Sequence, residues 1–144
     1  MPEKIVVGYD GSEGSKRALE FAMERAKAQG AGVVVAHVLE WSPYSFLTKE
    51  ELEERHVRRK EELTRAEEHV LSPVVGKLQK GGVNVETALR YGNVADTLSL
   101  IAKETGSTQV VIGRTGESGL SSRIFGSVAG SLAQSCTVPV TIVP

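Results

Sequence analysis

Lys4-Ile5-Val6-Val7-Gly8-Tyr9-Asp10-Gly11-Ser12 is a β-branched run closed by a polar turn. A run with apolar residues on both faces reads as a buried strand. Ser12 or Ser15 can cap the helix that follows. Ala18, Leu19, Ala22, Met23 and Ala26 form one stripe on that helix, suited to packing on a sheet. Gly30-Ala31-Gly32 ends it. Val33-Val34-Val35-Ala36-His37-Val38-Leu39 is a second continuous apolar strand. Two such strands separated by a helix predict a parallel sheet with helices on both sides.

The same alternation continues along the chain. Trp41 to Thr48 reads as a loop. Lys49 to Gln79 reads as a long charged helical stretch, with Leu52, Leu63, Ala66, Val70 and Leu71 on its buried side. Ser72-Pro73 is expected to kink or restart that helix, and Lys80-Gly81-Gly82 to stop it. Val83 to Leu89 is the third predicted strand. Tyr91-Gly92-Asn93 is a turn, and Asn93 caps a helix over Val94 to Glu104. The fourth strand is Thr108 to Gly113. A loop runs from Arg114 to about Arg123, and a helix follows from about Ile124 to Ser135. Val138 to Val143 closes the chain, with Pro139 suited to an edge or first-residue position.

With right-handed crossovers this order predicts a single α/β domain over residues 1–144. Its core is an open, doubly wound, Rossmann-like parallel sheet of five strands, order 3-2-1-4-5, with helices on both faces. Ligands of such sheets bind outside the carboxyl ends of the strands, where the strand order reverses. That point lies between the first and fourth strands. The turns at Asp10 and Gly113 are therefore expected to face each other.

Composition excludes other classes. The formal net charge is -1, which argues against a nucleic-acid or anionic-membrane binder acting through its overall field. Cys136 is the only cysteine, so no internal disulfide can form and a reducing compartment is expected. No run approaches the ~20 apolar residues of a membrane span, and the first residues lack a long apolar stretch. A cytoplasmic location is expected.

After the fourth strand comes Gly113-Arg114-Thr115-Gly116-Glu117-Ser118-Gly119-Leu120-Ser121-Ser122-Arg123-Ile124-Phe125-Gly126-Ser127. Gly113 and Gly116 can adopt positive φ and approach oxygen atoms closely. Amides exposed in such a turn form an anion nest. Gly126-Ser127 is expected at the start of the next helix, whose free amides and dipole attract an anion. The Ser127 hydroxyl is a further donor, and Arg114 and Arg123 can meet a terminal phosphate. Glycine spacing alone does not separate a phosphate cradle from ordinary turn and cap glycines.

Gly113-x2-Gly116-x9-Gly126-Ser127 resembles the nucleotide-binding pattern of the universal stress protein family without a gap. Ile5 to Ser12, Ala36-His37-Val38 and Pro139 to Val143 resemble that family's first strand and turn, second-strand end and closing strand. The resemblance covers essentially the whole chain. It implies a fold like that of the adenine nucleotide alpha hydrolases, and a site for ATP, or for AMP or ADP. It implies that Asp10 contacts the ribose or base, with Gly8 and Tyr9 on the same side. It implies that the main chain of Val38 holds adenine and that Ile112 packs near base or sugar. Gly113, Gly116, Gly126, Ser127 and Val128 match phosphate-contacting positions. Magnesium or manganese would arrive with the nucleotide, since the sequence has no dedicated ligand cluster. The resemblance further implies a homodimer through Val138 to Val143, an edge that would otherwise expose unpaired backbone. Two departures stand out. Thr108-Gln109 replaces a more commonly acidic position, and Tyr9 replaces Pro, Ala or Val, where its bulk would narrow the adenine pocket or stack on the base.

Other patterns carry less. There is no G-x-x-x-x-G-K-[ST] and no G-x-G-x-x-G after the first strand, and Gly116-Glu117-Ser118-Gly119 does not satisfy G-x-S-x-G. His37 reads as structural, His56 and His69 as surface residues, and Cys136 as packing. Trp41, Tyr44 and Phe46 fill a local core or cover the pocket. Three function classes follow. The first is a regulatory or stress-response nucleotide holder, at most a slow ATPase, because no general base is evident beside the loop. The second is an interaction module that regulates a transporter or enzyme, with nucleotide incidental. The third is an adenylylating enzyme, which lacks an evident catalytic Lys or His.

Overall fold

The computed structural model describes residues 3–40, 49–78, 81–114 and 121–144. Strands β1 (Lys4–Gly8), β2 (Gly32–Glu40), β3 (Val85–Gly92), β4 (Gln109–Gly113) and β5 (Val140–Val143) form one sheet. All pairings are parallel, and the order is β3-β2-β1-β4-β5, as the βα alternation predicts.

Strand alternation sorts the core into two layers. Ile5, Val7, Val33, Val35 and Val111 face helix α1 (Glu13–Gln29) through Ala18, Leu19, Ala22 and Ala26. Val6, Val34, Val110 and Ile112 belong to the opposite layer. Leu98, Ile101 and Ala102 of α4 (Val94–Thr105) cover it, with Val128, Ala129 and Leu132 of α5 (Ser121–Ser135). Each buried Val, Leu or Ile among these contributes roughly 1.5–3 kcal/mol. This is why the central strands read as unbroken apolar runs.

Local signals set the helix ends. Ser12 caps α1, accepting from the Ser15 N–H, and Gly30 ends it in the left-handed conformation at φ 67°. Asn93 caps α4 by accepting from the Asp96 N–H. Among these positions only Gly30 requires a backbone that a larger residue would strain.

Several expected boundaries shift. The strand expected over Val83 to Leu89 spans Val85–Gly92. Gly82 is still turning, at φ 78°, and the far end extends because β2 runs on beside it to the pair Glu40↔Gly92. The residues expected as a turn at Tyr91 and Gly92 are therefore strand. The long charged stretch is α2 (Lys49–Ala66), a π-helical segment (Glu67–Leu71) and α3 (Ser72–Leu78). The Ser72 N–H donates to the Glu67 carbonyl, one residue further back than in an α-helix. Pro73 has no N–H and its ring crowds the carbonyl four residues earlier. A widened turn just ahead of it absorbs that conflict. The final strand begins at Val140, one residue after Pro139. The loop expected over Trp41 to Thr48 lies outside the described residues, as does Lys80.

α2 is polar and largely exposed. Tyr91 of β3 donates its hydroxyl hydrogen bond to Glu62 of α2, and Arg59 lies over the Tyr91 ring, 5.4 Å from its centre. Burial pushes the Tyr91 phenol up from its usual 10.0 to about 12, and the bond to Glu62 adds to the rise.

Two outcomes are expected. The neutral Tyr91 phenol stabilises the fold at every pH below about 10, and that contribution fades as pH rises through about 12. Absorbance titration should show a phenol ionising near pH 12 that is missing from Tyr91→Phe. The second concerns Gly113, where an added Cβ would sit 2.6 Å from the Gly14 carbonyl oxygen. Gly113→Ala should lower unfolding stability by about 1–3 kcal/mol in urea titration, because backbone rather than a flexible side chain must give way.

Candidate functional site

The strand ends are uneven. β1 pairs with β2 only as far as Gly8↔Ala36, followed by a Tyr9 N–H bond to the Ala36 carbonyl at 2.8 Å. β2 and β3 continue together to Glu40 and Gly92. The recess beyond β1, beside β4, is a cleft of about 380 Å³. It lies at the reversal of strand order, where the topology predicts a ligand.

Six of the residues singled out from sequence line this cleft: Gly8, Tyr9, Asp10, Val38, Ile112 and Val128. Gly8 sits at its floor. A Cβ there would come within 3.2 Å of Ile112 Cγ2 and 3.3 Å of Leu98 Cδ1. Asp10 is fixed by its own turn. Its Oδ1 accepts from the Ser12 N–H at 2.9 Å, and its N–H donates to Ser15 Oγ at 3.3 Å. Ser15 Oγ in turn donates to the Ser12 carbonyl at 2.9 Å. These two serines are the polar residues buried at the head of α1, and their bonds hold the carboxylate at the rim.

The Val38 main chain has a defined direction. The Val33 N–H donates to Asn84 on the β3 side, whereas the Ala36 carbonyl accepts from Tyr9 on the β1 side. Backbone groups alternate between edges along a strand. The N–H and C=O of Val38 therefore face the β1 side, beyond the point where β1 has ended.

Other expected features are corrected. The Tyr9 ring belongs to the core layer of Leu19 and Leu71 on the α1 face. The residue is 6% exposed, and burial raises the pKa of its phenol. The ring is thus committed to packing and does not stack in the cleft, although its main chain borders it. Gly113 does not adopt positive φ. Its lack of a side chain instead admits the first turn of α1. Gly126 and Ser127 do not begin a helix, because α5 already starts at Ser121. Their amides lie past the first four, the ones that lack partners within the helix. Packing through Val128, Ala129 and Leu132 carries the helix across Gly126 despite the weak helix propensity of glycine. Arg114 is exposed and donates its N–H to the Val143 carbonyl at 2.8 Å. Ser127 is exposed on α5. Gly116 and the Arg123 side chain lie outside the described residues.

Sequence reading did not place His37, Leu39, Glu40, Val70, Val94 or Leu98 at the cleft. Val94 could have been inferred from the Asn93 cap. Val70 could not, since the π-helical turn that brings it there has no clear sequence signature. A larger groove of about 490 Å³ lies between α1 and α3, lined by Leu19, Met23, Val74 and Leu78 with charged residues of α1. It lies on the α1 face of the sheet and reaches Tyr9 from that side. Among the described residues no group of three or more His, Cys, Asp or Glu is placed to hold a metal ion, and no helix is long and apolar enough to cross a membrane.

Residues 1–144 match the model of the universal stress protein family. Universal stress protein YxiE of Bacillus subtilis is 32% identical over 156 residues, spanning 99% of this chain and 99% of that protein. The solved hypothetical protein MJ0577 superposes with a TM-score of 0.79 at 23% identity, covering 99% and 96% of the two chains, which is a likeness of fold. The universal stress protein from Archaeoglobus fulgidus solved in complex with dAMP is 26% identical, with a TM-score of 0.60 over 99% of this chain and 98% of that one.

Proposed function

This chain belongs to the universal stress protein family, and on that footing we propose that it binds an adenine nucleotide, ATP or else AMP or ADP, in the cleft beyond β1. The observation that carries this reading is the Val38 main chain, aimed into a cleft that Asp10 borders. An N–H and a C=O from one residue match the acceptor N1 and the donor amino group of adenine. The Asp10 oxygen not used by the Ser12 N–H can accept from a sugar hydroxyl. Gly8, Ile112 and Val128 supply the apolar walls. Arg114, Gly116, Arg123 and the Ser127 hydroxyl remain the proposed phosphate contacts, with Gly113 and Gly126, which lack side chains, leaving room beside them and magnesium or manganese carried by the nucleotide. The relative from Archaeoglobus fulgidus, solved with dAMP, supports the choice of ligand.

The role is that of a holder with slow hydrolysis or none. Asp10 and His37 are each engaged with backbone, at Ser12 and Tyr9. Occupancy can be sensed outside the cleft, because Val70 lines it and lies on the π-helical segment that continues α2. The alternative, an interaction module acting in the cytoplasm on a protein partner, draws on α2, where Val57 is 55% exposed among charged neighbours. The same chain also suits a homodimer. Residues 139 and 143 give their carbonyls to β4, so the backbone groups of Val140 and Ile142 face outward, and Ile142 is 42% exposed.

Calorimetric titration should show saturable binding of ATP, ADP or AMP and at least about tenfold weaker binding of GTP. Guanine presents O6 and N1–H in the reverse order, which leaves a buried donor and acceptor mismatched at about 1–3 kcal/mol. Equal binding of both bases, or none of either, rejects the reading. In sedimentation the wild type should be dimeric at micromolar concentration and Ile142→Lys monomeric, because a charge on an edge strand blocks pairing.

A further inference from the structure

We propose that His37 is the positioning residue that keeps the Val38 main chain open for the base. The proposal deepens the nucleotide reading above and rests on it for the identity of the ligand. The Tyr9 N–H joins Ala36 at 2.8 Å. In a regular parallel ladder the next rung would run from the Val38 N–H to the Tyr9 carbonyl. That rung is not made. The Tyr9 carbonyl is bonded to His37 Nδ1 instead, at 2.7 Å. A carbonyl oxygen only accepts, so Nδ1 carries the hydrogen.

The energetics explain why this matters. A buried acceptor left without a donor keeps its full desolvation penalty. Tyr9 is buried, so its carbonyl would otherwise draw in the Val38 N–H and zip β2 onto the end of β1. His37 stands one position before Val38 and on the same sheet face as Tyr9. It supplies the donor from within β2 itself. β1 can then stop with its last acceptor satisfied, and the Val38 N–H and C=O remain turned toward the cleft. His37 also borders that cleft, yet its Nδ1 is used on the backbone. Its effect on the ligand is through Val38.

The test uses His37→Leu, which removes the donor, and His37→Asn, whose Nδ2 stands where Nδ1 stood. The first readout needs no nucleotide: hydrogen exchange of the Val38 amide by NMR in the free protein. Wild type and His37→Asn should exchange fast. His37→Leu should exchange at least about tenfold more slowly, because its Val38 N–H closes on Tyr9. The second readout is AMP affinity, expected to fall about tenfold in His37→Leu and to return to within about threefold of wild type in His37→Asn. An unchanged Val38 exchange rate in His37→Leu, or an AMP affinity that wild type shows and His37→Leu keeps, overturns the proposal. Wild type that binds none of ATP, ADP and AMP while the exchange pattern holds supports the positioning role and instead rejects the nucleotide reading.

Discussion

Burial of the central strands on both faces is the constraint from which the rest of the architecture follows. Val6 and Val7 of β1, and Val110, Val111 and Ile112 of β4, are fully buried. Neighbouring side chains on one strand point to opposite layers, so neither layer can be left to solvent. The chain must send a helix over each face, and it does so with α1 on one side and α4 and α5 on the other. Right-handed crossovers then run in opposite directions from β1. The first pair, β1 to β2, grows the sheet one way, and β4 with β5 grows it the other way. A crevice between β1 and β4 is the geometric consequence.

Packing at that crevice is close enough to dictate residue type. The first turn of α1 passes over the end of β4 so closely that Gly113 has no room for a methyl group beside Gly14. Gly8 is similarly confined by Ile112 and Leu98 on the other layer. These glycines are required by close approach and not by an unusual backbone angle. The distinction bears on any reading of a glycine-rich loop. A glycine whose removal abolishes a function can do so by pushing a helix off the sheet, with no contact to ligand at all.

The strand order was legible because double-faced burial writes itself as uninterrupted Val and Ile, and because Ser12 and Asn93 announce their helices by capping. The extent of β3 was less legible. It depends on β2 as a partner, and a partner across the sheet is invisible in local sequence. Helix α5 begins at Ser121, ahead of the expected Ile124, and packing further along holds the helix through Gly126 despite its weak propensity. The candidate site was legible in part for a similar reason. Gly8, Asp10, Val38 and Ile112 sit at or near strand ends that the topology brings together, and Val128 reaches them from the middle of α5. Tyr9 showed the limit. Strand parity, once the register is known, sends its ring into the α1 layer, whereas its position beside Asp10 suggested the cleft.

An uneven sheet edge has its own energetic logic. β2 and β3 outrun β1, and every backbone group beyond β1 on that side needs a partner other than a strand. The protein meets this need at one point from within, through the His37 bond to the Tyr9 carbonyl. Val38, one residue on, faces the same side with its strand neighbour gone. A donor and an acceptor fixed in a recess, held by a sheet that cannot close over them, are already oriented before a ligand arrives, so little ordering entropy is spent on binding. The raggedness that costs the sheet a rung therefore leaves a donor and an acceptor at its edge, in an order that the backbone dictates.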